Sequence, residues 1–248
     1  MIPRGLLARP VAHRGLHSPG VPENSMAAFR AAIDAGYGIE MDIQPASDGT
    51  PLVFHDDELF RLTGASGPIA GVSVAQAAGL RLLQTDEAIP TLADVLAFVA
   101  GRVPLLIEIK DSDGALGPDV GDLPLQVAEA LSGHAGEVAV MSFNPHVVAA
   151  VNRAAPDLTV GLTTCAFTPD DWPGVPPHRR EALARIEDFG RVGASFVSHD
   201  RRDLGNPAIA ALKARGVPVL CWTIRSAEQE RAARRIADNI TFEAYCPD

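Results

Sequence analysis

The chain has 248 residues, enough for one large α/β unit, and 47% of them are hydrophobic, enough to fill a sizeable core. A formal net charge of −10 with scattered basic residues argues against a nucleic-acid surface, which needs a positive stripe, but leaves room for a local patch that meets an anionic ligand. The three cysteines, Cys165, Cys221 and Cys246, lack metal-ligand spacing and read as reduced thiols; the start, Met1 to Pro10, has no apolar core of secretory length, and no run nears the ~20 apolar residues of a membrane span. The expectation is a cytoplasmic protein without stable membrane insertion.

Short β-type runs alternate with helical ones. A first strand, Val11 to His13, leads into a loop with Gly15, Pro19, Gly20 and Pro22. A helix follows, capped at Asn24 or Ser25, with Met26, Phe29 and Ile33 on its apolar face and Gly36 at its end. Gly38 to Asp57 carries Glu40 and Asp42 two apart on one strand face, then Asp48-Gly49 as a turn, then Pro51 to Phe54 running into His55. Residues 58 to 90 are irregular, with a short helix over Ser73 to Ala78. Thr91 caps a helix carrying Leu92, Val95, Leu96 and Val99. Leu105 to Lys110 reads as a strand covered on both faces. A helix over Leu125 to Leu131 precedes a strand over Val138 to Ser142. Asn144-Pro145 opens a helix through Val151, and a strand over Thr159 to Thr163 follows. Phe167 to Arg179, rich in proline and glycine, reads as a loop, and a helix is expected over Glu181 to Phe189. The remaining elements are a strand over Ser195 to Ser198, a helix from Asn206-Pro207 to Gly216, a strand over Val217 to Thr223, a helix opened by a Ser226–Gln229 capping box, and a strand over Asn239 to Phe242.

Regular βα alternation implies a parallel sheet with helical cover, and no glycine-rich dinucleotide fingerprint follows the first strand. Counting Pro51 to Phe54 would give nine barrel strands. A chain that leaves the Glu40–Asp42 strand, turns at Asp48-Gly49 and returns is antiparallel, so Pro51 to Phe54 reads as the arm of a β-hairpin. Eight strands remain, those at His13, Glu40, Glu108, Ser142, Gly161, Val197, Trp222 and Thr241, and eight is the number that closes a (β/α)8 TIM barrel. The expected architecture is one barrel domain over residues 1–248, with a short insertion at about 57–90.

On that count His13, Arg14, Glu40, Asp42, His55, Glu108, Lys110 and Trp222 gather at the strand C-termini, where barrel enzymes keep their sites. Three carboxylates without a thiolate at ligand spacing suit one hard divalent cation, Mg2+ or Ca2+, better than zinc. Two histidines, an arginine and a lysine beside it suit a small phosphate-bearing substrate. Each residue has a structural alternative. His13 could be a hydrogen-bonded core histidine, Glu40 and Asp42 could form a buried ion network with Arg14 or Lys110, Glu108 and Lys110 could bridge each other, and His55 could be an exposed turn residue. His199 is expected at a loop or pocket edge, Cys221 is expected to point away from the site, and His17, His134, His146 and His178 are expected in solvent or at helix caps.

In order along the chain, His13-Arg14-Gly15, Pro22 to Ser25, Ile39 to Asp42, Asp48-Gly49 with Pro51 to Asp56, Arg61 to Gly64, Pro90 to Leu92, Ile107 to Lys110, Ser142-Phe143 and Trp222-Thr223 together resemble the glycerophosphodiester phosphodiesterase family. The resemblance implies a phosphodiesterase barrel with His13 and His55 as general acid and base, Glu40, Asp42 and Glu108 as metal ligands, Arg14 and Lys110 as phosphate contacts, and Trp222 as a pocket wall. It implies metal-dependent hydrolysis of glycerophosphodiesters to glycerol 3-phosphate and an alcohol. The alternatives are a lipid phosphodiesterase similar to lysophospholipase D or sphingomyelinase D, and a non-catalytic phosphoester-binding barrel. One departure stands out: the family's last strand ends in aspartate after a hydroxyl residue, where this chain has Phe242 and Glu243.

Overall fold

Apolar runs separated by helical segments pair in parallel, because each intervening helix carries the chain back to the end where it began. The structure is a computed structural model that describes residues 1–111 and 114–247. In chain order it contains α1 (Gly5–Ala8), β1 (Val11–Ala12), α2 (Met26–Asp34), β2 (Gly38–Pro45), β3 (Pro51–Val53), α3 (Phe60–Thr63), α4 (Val74–Ala77), α5 (Leu92–Val99), β4 (Leu105–Ile109), α6 (Leu123–Ala130), β5 (Val138–Ser142), α7 (Pro145–Ala154), β6 (Thr159–Thr164), α8 (Pro177–Ala184), β7 (Phe196–Asp200), α9 (Pro207–Ala214), β8 (Val219–Ile224), α10 (Ala227–Ala233) and β9 (Asn239–Phe242). The strand order is β1-β9-β8-β7-β6-β5-β4-β2-β3, and β1 also pairs with β2. Eight parallel strands therefore close into a (β/α)8 barrel, and β3 lies outside the ring.

Three hydrophobic clusters build the scaffold, and a fourth gathers Leu116, Cys165, Phe167, Val175 and Leu183. Inside the barrel, Val11, Leu106, Met141, Phe196 and Leu220 meet Ile2 and Leu6, so α1 plugs the N-terminal end. Between sheet and helices lies the main core, to which α5 gives Leu92, Val95, Leu96 and Val99 on one face. The segment after the hairpin builds a satellite core of its own, where Leu59, Leu62, Ile69 and Leu82 pack on Leu52 and Phe54.

The hairpin forms because β1 is short. It pairs with β2 only at Gly38 and Ile39, which leaves the far half of β2 with an open edge. The edge is filled by β3, antiparallel, with Ile43 opposite Val53 and Pro45 opposite Pro51. The turn uses Gly49 at φ +85, and Asp48 Oδ1 accepts from Thr50 N at 3.1 Å.

Two local expectations are corrected. The helix expected over Glu181 to Phe189 is α8, which begins four residues earlier. Pro176 and Pro177 fall in the stretch expected as loop, yet proline at the first helical position loses no hydrogen bond and is pre-set for the helix. Ile186 has φ +54, so the helix cannot continue to Phe189. The box at Ser226 is half formed: Ser226 accepts from Gln229 N, but Gln229 Oε1 accepts from Arg225 N at 2.8 Å.

Gly161 in β6 marks where the barrel interior has no space to spare. A Cβ there would lie 2.5 Å from the Phe196 ring. Replacing Gly161 with alanine is expected to cost about 1–3 kcal/mol of unfolding free energy by overpacking, measured by chemical denaturation. An unchanged midpoint would mean that the Phe196 ring does not hold this space.

Candidate active site

Strand register assembles the site. Ala12 pairs with Ile39 on one side and with Phe242 on the other, so His13, one residue on, emerges between Glu40 and Glu243. Asp42 and Glu108 are register partners across β2 and β4. Side chains two apart on a strand share a face, which adds Glu40 to the same side. These three carboxylates are buried and each offers an oxygen within 4.8 Å of the others. The returning arm donates Phe54 N to Asp42 O at 3.0 Å, which sets His55 over the cluster.

Basic groups meet the acids. Lys110 Nζ lies 2.7 Å from Asp42 Oδ1 and also bonds Glu108 Oε1. Arg14 donates its backbone N–H to Glu40 Oε2 at 2.9 Å, places Nε 3.2 Å from Asp42 Oδ2, and donates Nη1 to Glu23 at 2.6 Å. Gly15 lets this loop close on α2: it has φ +77, and a Cβ would sit 2.8 Å from that of Ala28. Asn24, one of the two residues read as a cap, does other work. Ser25 caps α2, while Asn24 Nδ2 donates to Asp42 Oδ2 at 2.9 Å.

The charges are unequal in consequence. Burial, and then Asp42 and Glu108, push the Glu40 carboxyl well above the usual carboxylate range. Asp42 goes the other way: against burial, Lys110, His55 and Arg14 hold it well below that range. Lys110 is raised above the ordinary lysine value by Asp42 and Glu108, against burial. Three carboxylates thus face two fixed bases, and one carboxyl, Glu40, resists ionising. An all-oxygen set with this deficit fits a hard divalent cation. The carboxylates of Glu40, Asp42 and Glu108 could hold one.

Each histidine rests on a carboxylate. His13 Nδ1 lies 2.5 Å from Glu243 Oε2, and His55 Nδ1 lies 2.7 Å from Asp56 Oδ1. Glu243 is held well below the usual range by the hydrogen bond from His13 and by the neighbouring His17, against burial, and Asp56 is held at about 2 against burial by Arg61 and His55. An ionised carboxylate only accepts, so both Nδ1 atoms donate. Nε2 is then the atom left for substrate, and on His13 it lies 4.0 Å from Glu40. Burial pushes His13 below its ordinary value, a push that the Glu243 hydrogen bond opposes without cancelling.

A cavity of about 200 Å³ brings His13, Arg14, Glu40, Asp42, His55, Glu108, Lys110 and Trp222 together. Trp222 donates Nε1 to Ser198 O at 3.0 Å, which fixes its ring edge-on to Phe143, centroids 5.6 Å apart. A second cavity of about 560 Å³ adjoins the first, sharing His55, Glu108, Lys110 and Phe143 and adding Leu116 and Trp172.

His199 is not at a pocket edge. It is fully buried and packs on the outer side of β7, where its Nε2 donates to Asp203 O at 3.0 Å and Thr164 Oγ1 bonds its Nδ1 at 2.7 Å. Strand alternation turns Ser198 inward and His199 outward, as its register partner Cys221 is. The Cys221 thiol is buried and pushed up to about 12, as a core thiol should be. His17 is neither in solvent nor at a cap: its Nε2 is buried 3.7 Å from Glu243. Glu243, Asp56 and Glu23 were not among the expected site residues. For Glu243 the signal was present, since closing the last strand against the first places its end beside His13.

Catalytic-type groups converging at the C-terminal end of a (β/α)8 barrel define a barrel enzyme of phosphoester chemistry. The chain belongs to the glycerophosphoryl diester phosphodiesterase family, whose model matches residues 13–242, and is a phosphoric diester hydrolase by that membership. The glycerophosphodiester phosphodiesterase of Caldanaerobacter subterraneus subsp. tengcongensis is 28% identical over 239 residues, covering 93% of this chain and 91% of that protein. Glycerophosphodiester phosphodiesterase 1 of Rattus norvegicus is 24% identical over 245 residues, covering 89% and 72%. Among solved structures, an Oleispira antarctica phosphodiesterase in complex with the product sn-glycerol-3-phosphate superposes with a TM-score of 0.78 at 23% identity, over 97% of this chain and 95% of that one. That likeness is one of fold. No helix among the described residues is long and apolar enough to cross a membrane.

Glu40 yields a test that does not depend on activity. An acid whose proton is held more tightly in the folded state loses stability as pH rises through the range between its unfolded and folded values. Metal-free protein is therefore expected to lose thermal stability as pH rises above the ordinary carboxylate range, and Glu40→Gln is expected to flatten that slope. Mg2+ or Ca2+ should raise the midpoint more at the upper pH. A wild-type slope equal to that of Glu40→Gln would remove Glu40 as the strained carboxyl.

Proposed function

We propose that this protein is a metal-dependent glycerophosphodiester phosphodiesterase that releases glycerol 3-phosphate and an alcohol. The observation that carries the reading is the small cavity in which two carboxylate-backed histidines face three clustered carboxylates and two bases. The activity would be carried by one barrel unit over residues 1–248, with about 57–90 as an insertion. The free cysteines Cys165, Cys221 and Cys246 suit a cytoplasmic setting.

Glu40, Asp42 and Glu108 would hold one divalent cation, Mg2+ or Ca2+. When bound, it would supply charge neutralisation at the phosphate. The chain's own residues do the rest. Arg14 and Lys110 present positive charge to the phosphate oxygens. His13, kept neutral by burial with Nδ1 committed to Glu243, suits the base that takes the proton of an attacking glycerol hydroxyl at Nε2. His55 then protonates the leaving alcohol oxygen. Water opens the resulting cyclic phosphate with the two roles reversed. Trp222 and Phe143 close one side against water.

A second reading is favoured by one observation. The adjoining cavity has an apolar wall of Leu116, Phe143 and Trp172, which could receive an acyl chain as in lysophospholipase D-type or sphingomyelinase D-type enzymes. Turnover of glycerophosphocholine against a lysophospholipid separates the two, and preference for the acylated substrate would overturn the first. The third alternative, a binding module without catalysis, is disfavoured because both histidines and all three carboxylates are retained.

His13→Ala and His55→Ala are each expected to lower the rate of glycerol 3-phosphate release at least about 100-fold, with folding intact by circular dichroism. Wild-type turnover in either variant would remove the acid–base assignment. Exhaustive chelation is expected to abolish activity, and added Mg2+ or Ca2+ to restore it.

A further inference from the structure

The motif Arg61-Leu62-Thr63-Gly64 has no part in the reaction drawn above. Its first residue nonetheless sits in the densest set of charged hydrogen bonds at the rim of the site. Arg61 donates Nε to Asp56 Oδ2 at 2.5 Å, Nη2 to Asp56 Oδ1 at 2.8 Å, Nη1 to Glu23 Oε2 at 2.8 Å and Nη2 to Glu23 Oε1 at 2.8 Å. Both carboxylates are thus gripped in bidentate fashion by one planar guanidinium, a geometry that lysine cannot reproduce.

Neither carboxylate ends there. Asp56 Oδ1 also accepts from His55 Nδ1 at 2.7 Å, and Glu23 Oε1 also accepts from Arg14 Nη1 at 2.6 Å. One unbroken chain of hydrogen bonds therefore runs from His55 through Asp56, Arg61 and Glu23 to Arg14. It joins the hairpin arm to the loop after β1, two parts of the site that approach it from opposite directions. The rest of the motif explains how Arg61 is held. Leu62 is buried in the satellite core, and Thr63 donates Oγ1 to Leu59 O at 2.9 Å. Arg61 itself remains 47% exposed, on the outer face of α3. Hydrogen bonds from Arg61 to both acids, against burial, keep them ionised, so that each can accept from the residue behind it.

We propose that Arg61 is a positioning residue of the phosphodiesterase reaction: through Asp56 it sets the ring orientation and tautomer of His55, and through Glu23 it sets the guanidinium of Arg14. On this assignment the satellite segment is a brace that carries one arginine to the mouth of the site. The inference rests on the activity proposed above for its kinetic consequences, but its structural consequence can be read without turnover.

The test is a double-substitution cycle on glycerophosphocholine with metal present. Arg61→Ala and Asp56→Asn are each expected to lower kcat about 10- to 100-fold, the scale of a slight misplacement of a reacting group. Because Arg61 acts on His55 through that carboxylate, the double variant should lose less than the product of the two single losses, and what it loses beyond Asp56→Asn is the part that passes through Glu23 to Arg14. Guanidinium at sub-denaturing concentration should restore Arg61→Ala but not the double variant. Arg61→Lys, which keeps the charge and the fold, should stay within about threefold of Arg61→Ala; it carries the comparison if the alanine variant does not fold. In NMR spectra the proton on His55 Nδ1 should be seen in the wild type, lost in Asp56→Asn, and shifted in Arg61→Ala with recovery on adding guanidinium. Wild-type kcat in Arg61→Lys, effects of Arg61 and Asp56 that multiply, or an unmoved His55 ring proton would each overturn the assignment. If the wild type hydrolyses no glycerophosphodiester, it is the activity reading that fails, and the ring-proton comparison still decides the place of Arg61.

Discussion

The constraint behind this molecule is the burial of three carboxylates on two neighbouring parallel strands. Glu40 and Asp42 are two apart on β2, and Asp42 faces Glu108 across the register to β4, so they cannot avoid one another. Bringing three negative groups within 4.8 Å in a buried place is costly unless charge is supplied. Lys110 and Arg14 supply part of it, and Asn24 adds a neutral donor to Asp42. What remains is a deficit localised on Glu40. The neighbouring loops can be understood as means of managing that deficit.

The two histidines obey a common rule from different directions. His13 leaves the end of a very short strand and is caught by Glu243 from the last strand of the ring. His55 arrives on an antiparallel arm outside the ring and is caught by the residue that follows it. In both, Nδ1 is committed to an ionised carboxylate, and both rings line the cavity. The brevity of β1 serves both ends: it frees His13 early, and it leaves the edge of β2 that the arm of His55 fills.

Much of this was legible in the chain. Strand alternation put Glu40 with Asp42, the Asp48-Gly49 turn made the following strand antiparallel, and removing that arm from the count left the eight strands that close. What escaped was of two kinds. Pro176 and Pro177 look like loop residues in the chain, although at a first helical turn proline favours the helix. His199, expected at a loop or pocket edge, ends a strand whose alternation turns Ser198 inward and His199 outward. The other misses are side chains with no local signal. Arg61 lies in a segment that looked irregular, and nothing near it in sequence says that its guanidinium spans Glu23 and Asp56.

By itself, then, the sequence determined the periodic features: the order of elements, the barrel count, the acids that share a face and the turn that returns His55. These depend on interactions a few residues apart, where strand and turn geometry leave few choices. Tertiary structure alone decided which carboxylate backs which histidine, which acid is pushed towards its protonated form, and which way His199 points. Those outcomes depend on ring closure, which sets Glu243 beside His13 across 230 residues of chain, and on burial, which makes identical carboxyl groups behave differently according to the bases that reach them.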